Sequence, residues 1–298
     1  MSNAIRRSVT TLLLPALLAM SAVAYSSQRA TCTHCDEWNA TQKPFRVYGN
    51  TYYVGVHGLS SILITSDQGH VLIDGDLEES AHKIAASIRE LGFRIEDVKL
   101  ILNSHIHSDH AGGIAELQRL SGATVAASPS SAKVLREGHS GPDDPQYGTI
   151  RGIPPLATVR VVGDGETLRV GPLELTAHLT PGHTPGGTTW TWKSCENKRC
   201  LNMVYADSLA PLSAHGFRFT RNSTYPHVLE DFEKSFRILD ALPCDLLLTP
   251  HPESSDFWTR LERRNSGQSD ALIDASACRH LAEGARERLK ARVAAELK

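Results

Sequence analysis

The sequence predicts an α+β protein in which two β-sheets pack face to face with helices on the outside. Three observations carry that prediction. The chain passes twice through the same order of strands, helix, strand and polar loop, and each passage ends in a loop that bears histidine. The Pro- and Gly-rich stretch at 138–155 reads as a surface loop within one domain, not as a linker between two. With 298 residues, 41% of them apolar and 21% charged, the chain can bury a sizeable core.

The N-terminus stands apart from this pattern. Arg6 and Arg7 precede an apolar segment at 12–20, and Ala22-Val23-Ala24 forms a small-residue cleavage site. Residues 1–24 therefore read as a secretory signal peptide and 25–298 as a single mature domain. A membrane span needs roughly 20 apolar residues, whereas this segment is broken by Pro15 and soon turns polar. Cys32 follows Arg29-Ala30-Thr31, which lacks the apolar residue that lipid attachment requires, so the mature protein is expected to be soluble and periplasmic, with no membrane partner. Removing 1–24 takes away two arginines and no acid, leaving 29 basic against 33 acidic residues, a net charge of −4. Arg286, Arg288, Lys290 and Arg292 alternate with apolar positions as a solvated helix face does, so no nucleic-acid partner is expected.

The elements follow in order. Stretches 45–56 and 61–73 read as successive strands, the second divided by the turn Asp67-Gln68-Gly69. Ile84, Ile88 and Leu91 are spaced for one helix face, and Gly92 is placed to end that helix. An apolar strand at 98–102 leads into a histidine cluster, then a short helix at 113–120 and a strand at 124–127. The second passage has strands within 159–179, a hairpin of 188–192 with 201–205, a helix at 228–242, a strand at 245–248 and a final helix carrying Cys278. Six cysteines in an exported chain point to disulfides. Spacing suggests that Cys195 and Cys200 close the hairpin and that Cys244 and Cys278 pin the last helix. Cys32 and Cys35, in C-T-H-C, read as a local bridge rather than a metal or redox site, because no second cysteine pair lies near them.

The stretch N-S-H-I-H-S-D-H-A-G-G at 103–113 carries the chemistry. It follows an apolar strand run, so a rigid core holds its side chains while solvent can reach them. Four such loops occur: His105, His107, Asp109 and His110; His183 in T-P-G-H-T-P-G-G; Asp207 in Y-A-D-S-L; and His251 in T-P-H-P. Five imidazoles and one or two carboxylates exceed the three protein ligands of one catalytic zinc and suit two, which points to two-metal hydrolysis. His34, His70, His82, His139, His178, His227 and His280 match no motif and read as surface or core residues.

H-I-H-S-D-H resembles the His-x-His-x-Asp-His signature of the metallo-β-lactamase superfamily, and Asp74, His183, Asp207 and His251 stand where its other motifs fall. The resemblance runs from about Phe45 to the C-terminus and implies that superfamily's αββα sandwich. It is most similar to the subclass B3 enzymes, through D-P-Q-Y at 144–147, P-G-H-T-P-G-G-T-T-W-T-W at 181–192, V-Y-A-D-S-L at 204–209 and the Cys244 to Cys278 spacing. The resemblance implies that His105, His107 and His183 bind one Zn²⁺ and that Asp109, His110 and His251 bind another. Asp74 and Asp207 would be carboxylates behind the ligands, and Ser208 would face the substrate carboxylate.

The activity so implied is opening of the β-lactam ring of penicillins, cephalosporins or carbapenems by a hydroxide that the two metals make available, with Asp109 orienting it, in a monomer that confers antibiotic resistance. Two departures stand out. Ala210 occupies a position where these enzymes often carry Ser or Thr, and His57 lies near where one relative has a cysteine paired with the N-terminal segment. His57 and His215 are placed near the site mouth by the resemblance. Two rival readings are a glyoxalase II-like thioesterase or lactonase, in which Asp207 would bridge the metals, and a non-catalytic periplasmic zinc-binding protein.

Overall fold

The computed structural model describes Met1 and residues 32–298, so the expected signal peptide at 1–24 lies outside the described residues apart from its first. A short helix α1 (Cys35–Trp38) leads into β1 (Phe45–Tyr48), β2 (Thr51–Tyr53), β3 (Ile62–Ile64) and β4 (His70–Ile73). Then come α2 (Ala81–Glu90), β5 (Val98–Leu102), α3 (Ser108–Ala111), α4 (Ile114–Ser121), β6 (Thr124–Ala127), α5 (Pro129–Glu137) and β7 (Arg160–Val161). The second half comprises β8 (Thr167–Val170), β9 (Leu173–Leu179), β10 (Thr188–Glu196), β11 (Arg199–Tyr205), α6 (Val228–Ala241), β12 (Leu246–Leu248), α7 (Phe257–Asn265) and α8 (Ala277–Glu296).

β1 to β7 form one sheet in sequence order, antiparallel through β4 and parallel from β4 to β7. The other sheet has the order β12-β11-β10-β9-β8, with only β11 and β12 parallel. Because strand side chains alternate between faces, each buried strand serves two layers. Val71 and Ile73 of β4, with Leu100 and Leu102 of β5, meet Trp190, Met203, Tyr205 and Leu248 between the sheets. Leu72 and Ile101 point the other way, against Ile84 and Ile88 of α2 and Leu117 of α4. Val204 and Leu247 do the same on the second sheet, against Phe232 of α6 and Ala282 and Ala285 of α8. The result is the expected four-layer αββα sandwich.

Strands β5 and β6 have the bounds that their apolar runs predict, whereas other elements depart from the sequence expectation. Stretch 45–56 is a hairpin and not one strand, because Gly49 turns the chain with a left-handed φ of +51°. Helices α5 and α7 were not legible: α5 announces itself only by Ser128, whose Oγ accepts from the Ser131 amide, and by Pro129 in its first turn. All three expected disulfides are present, Cys32–Cys35, Cys195–Cys200 and Cys244–Cys278, and none of the six cysteines is free. Among the described residues, no helix is long and apolar enough to cross a membrane.

Candidate metal centre

Parallel pairing brings strand ends side by side, and the loops leaving those ends carry the site. Ile73 pairs with Leu102, so β4 releases Asp74 where β5 releases the loop to His105. Tyr205 pairs with Leu248, so β11 releases Asp207 and Ser208 beside the β12 loop that reaches His251. His183 follows β9. The two sheets are laced here by the Thr188 amide donating to the Ser104 carbonyl at 2.8 Å and by Trp190 Nε1 donating to the Asn103 carbonyl at 3.0 Å.

The six expected ligands gather into two groups of three, His105 with His107 and His183, and Asp109 with His110 and His251, the donor atoms of each group lying within 4.8 Å of one another. The groups adjoin, the rings of His105 and His110 being 4.4 Å apart between centroids. In the first group one nitrogen of every ring is tied to an acceptor outside the cluster. His105 Nδ1 donates to Asp207 Oδ1 at 2.7 Å, His183 Nδ1 to the Ala210 carbonyl at 2.8 Å, and His107 Nε2 meets the Asp144 carboxylate at 3.2 and 3.3 Å. Those acceptors set the tautomers. The opposite nitrogens therefore carry lone pairs toward a common point, and His105 Nε2 is buried with no protein partner. In the second group Asp109 Oδ2 lies 3.2 Å from His110 Nε2 and 3.3 Å from His251 Nε2, and those two nitrogens are 3.2 Å apart.

Electrostatics prepare the same chemistry. Burial, reinforced by His110, His107 and His183, holds His105 well below the usual histidine range, and burial with His107 brings His183 down to about 3. Both rings are thus neutral, as metal ligation requires. Burial opposes ionisation of Asp109, but the electrostatic influence of the adjoining His110 ring and hydrogen bonds from His110 and His251 overcome it and hold the carboxyl well below its ordinary value. An orphaned buried nitrogen, rings locked by carboxylate and carbonyl acceptors, and an ionised aspartate form a donor set that suits a divalent transition metal.

The supporting carboxylates divide their work. Asp74, fully buried with a φ of +60°, accepts from the Ser104 amide at 2.7 Å, Ser104 Oγ at 2.6 Å and Tyr205 OH at 2.8 Å, so it holds the loop that carries His105 without touching a ligand ring. Asp207 stands behind His105 and outside both donor groups. Gly187 is required beside it, since a Cβ there would overlap Asp207 Oδ2 and the Thr180 carbonyl.

The sequence points to no role for Asp144 beyond its place in D-P-Q-Y. It lies in the stretch expected to be a surface loop, yet only 2% of it is exposed and it braces His107. D-P-Q-Y was visible, but nothing local announces contact with a residue 37 positions away. A cavity of about 450 Å³ opens over both groups, and Ser208, Gln146, Trp38 and His34 line it. Trp38 also packs on His251, with ring centroids 5.1 Å apart. His34, read as an ordinary residue, thus stands at the rim, whereas His57 stacks on Trp258 and neither it nor His215 lines the cavity.

Residues 54–196 match the family model of the metallo-beta-lactamase superfamily. Two solved structures are similar over nearly the whole fold. The Rm3 metallo-beta-lactamase is 58% identical, with a TM-score of 0.88 over 90% of this chain and 100% of that one. MEM-A1, a subclass B3 metallo-beta-lactamase from a soil metagenome library, is 54% identical, with a TM-score of 0.85 over 87% of this chain and 98% of that one. A probable metallo-hydrolase of Burkholderia pseudomallei is 28% identical over 44% of this chain and 47% of its own length. Three curated relatives, this one among them, are spanned over 37% to 60% of their own length. With the two donor groups on this sandwich, the chain belongs to the metallo-β-lactamase superfamily. Within it the chain stands with the subclass B3 enzymes and is a hydrolase of that class.

Proposed function

We propose that this protein is an exported, monomeric zinc enzyme that hydrolyses the amide bond of β-lactam antibiotics and so confers resistance to them. The observation that carries the reading is the pair of adjoining donor groups beneath one cavity, in a fold shared with solved metallo-beta-lactamases. His105, His107 and His183 would hold one zinc, and Asp109, His110 and His251 the other. Bound there, the metals would supply Lewis acidity and make water nucleophilic at neutral pH.

The protein's own residues do the rest. Asp207, Asp144 and the Ala210 carbonyl fix the three rings of the first group, so the donor geometry is set before substrate arrives. Ionised Asp109 accepts a hydrogen bond from the attacking water and orients it. Water adds to the lactam carbonyl, the carbon–nitrogen bond breaks, and the released nitrogen takes up a proton. Ser208, on the cavity wall, donates its hydroxyl to the substrate carboxylate. The thioesterase and lactonase readings need Asp207 between the metals, and its bond to His105 Nδ1, outside both donor groups, weighs against them.

Full pairing of the six cysteines supports export to an oxidising compartment and the reading of 1–24 as a signal. Purified mature protein is expected to remove carbapenem absorbance with zinc and to stop when a chelator is added, while a thioester and a lactone survive. An intact β-lactam ring beside a cleaved thioester or lactone would transfer the activity to those substrates and leave the family assignment standing.

A further inference from the structure

The cavity wall contains a cation that the reading above leaves unused. Arg288 and Leu281 of α8 both line the cavity, and at seven residues apart they share one face of the helix two turns apart. Gly284 lies between them on that face. Glycine inside a 20-residue helix is unfavourable relative to alanine, and the position it keeps open is occupied by its neighbour. Arg288 Nη1 is 3.3 Å from where a Cβ on Gly284 would stand. The guanidinium therefore folds back along the helix toward its N-terminal end, the direction that long helical side chains take, and toward Leu281 at the cavity.

Charge pairing separates Arg288 from the other cations around it. Arg286, Lys290 and Arg292 of the same helix have carboxylate oxygens at 2.9, 2.7 and 2.8 Å, from Asp240, Glu287 and Glu296. Arg151, also on the cavity wall, lies 3.8 Å from Glu79. Among the described residues Arg288 has no ion-pair partner. The wall beyond Ser208 is built from Leu209, Ala210 and Leu212, whose side chains donate no hydrogen bond. Ser208 and Arg288 line the same cavity, so an anion bound there can meet a hydroxyl donor and an unpaired guanidinium.

We propose that Arg288 is a specificity-determining residue that binds the carboxylate of the substrate and fills the role left open at Ala210. The inference rests on the β-lactam reading, since penicillins, cephalosporins and carbapenems each carry a carboxylate beside the lactam nitrogen. A guanidinium can offer two parallel N–H donors to such a group. Its exposure makes the contribution dependent on salt.

The test compares kcat and KM of the zinc-loaded enzyme on a cephalosporin acid and on its methyl ester, at low and high salt. Wild type is expected to prefer the acid. Arg288→Gln is expected to raise KM for the acid by about 10-fold with kcat within about 2-fold, which collapses the preference and its salt dependence. Arg288→Lys is expected to restore part of it, and Lys290→Gln, which removes a charge elsewhere on α8, to leave it intact. An unchanged preference in Arg288→Gln overturns the inference, as does an equal loss on acid and ester, which would mark a structural role. Absence of ring opening in wild type overturns the β-lactam reading and this inference together, and the wild-type arm alone reveals that outcome.

Discussion

Asp144 shows how one residue can matter without standing out locally. Burial opposes its charge, but the hydrogen bond and electrostatic influence of the His107 ring overcome that and hold the carboxyl below its ordinary value. Removing a carboxylate that orients a metal-bound histidine typically weakens metal affinity by 10- to 100-fold. Asp144→Ala is therefore expected to lose zinc affinity on that scale, read by competition with a chromophoric chelator, while its circular dichroism stays native. Unchanged affinity would remove Asp144 from the site. Gly187→Ala tests the same shell from the opposite side. Its methyl group meets the Thr180 carbonyl and Asp207 Oδ2, and Asp207 cannot move without disturbing His105. A loss of roughly 1–3 kcal/mol is expected from overpacking, together with a lower zinc content, and thermal denaturation with metal analysis would show both.

At the level of elements, the end of α8 is tied to the stretch before α6 by Arg292, which donates to Ser213 Oγ and the Phe217 carbonyl, and by the Glu296 carboxylate. Glu296 accepts from the amides of Phe219 and Thr220 at 3.1 and 3.0 Å, from Thr220 Oγ1 at 3.0 Å and from Arg292 at 2.8 Å. Burial opposes its ionisation, yet these bonds hold it below its ordinary value of 4.5. A depressed pKa in the folded state means that the stabilisation is present above 4.5 and is lost as pH falls through the folded-state value. Glu296→Gln is expected to cost about 1–2 kcal/mol at pH 7, and the gap from wild type should close as the medium is acidified below the ordinary value. A gap that stays constant with pH would show that charge is not its source. Elements also differed in legibility. β5 and β6 are apolar runs whose length matches their burial, so their bounds could be read directly. The buried side of α7 includes Arg260, whose guanidinium donates to the carbonyls of Ala271 and Leu272, so its inner face does not look apolar in the sequence.

The whole molecule is held by bridges of unequal span and, in the proposed function, by its metals. Cys244 and Cys278 are 34 residues apart, whereas Cys195 and Cys200 are separated by five and already sit opposite each other in the hairpin. Loop-closure entropy gives the long bridge about 4 kcal/mol and the short one about 2. Replacing both cysteines of the long bridge by serine is therefore expected to lower the urea midpoint further than the same change in the hairpin, and the reverse order would point to strain or residual structure. Stripping zinc should lower the thermal midpoint of the intact protein, because a ligand bound only by the folded state stabilises it by mass action.

The sequence by itself determined the layer architecture, the three disulfides and the six donor residues. The layers, the bridges and the donor-bearing loops rest on local signals, namely apolar period, cysteine spacing and histidines gathered at the ends of strands, whereas the choice of those six donors rests on the family signature that they resemble. Only the tertiary structure decided which nitrogen of each ring is free, that a loop rich in proline and glycine delivers Asp144 to His107, and that Gly284 clears the way for Arg288 to reach the cavity. These depend on contacts between distant segments or across helix turns, where the partner's identity is written nowhere near the residue it serves.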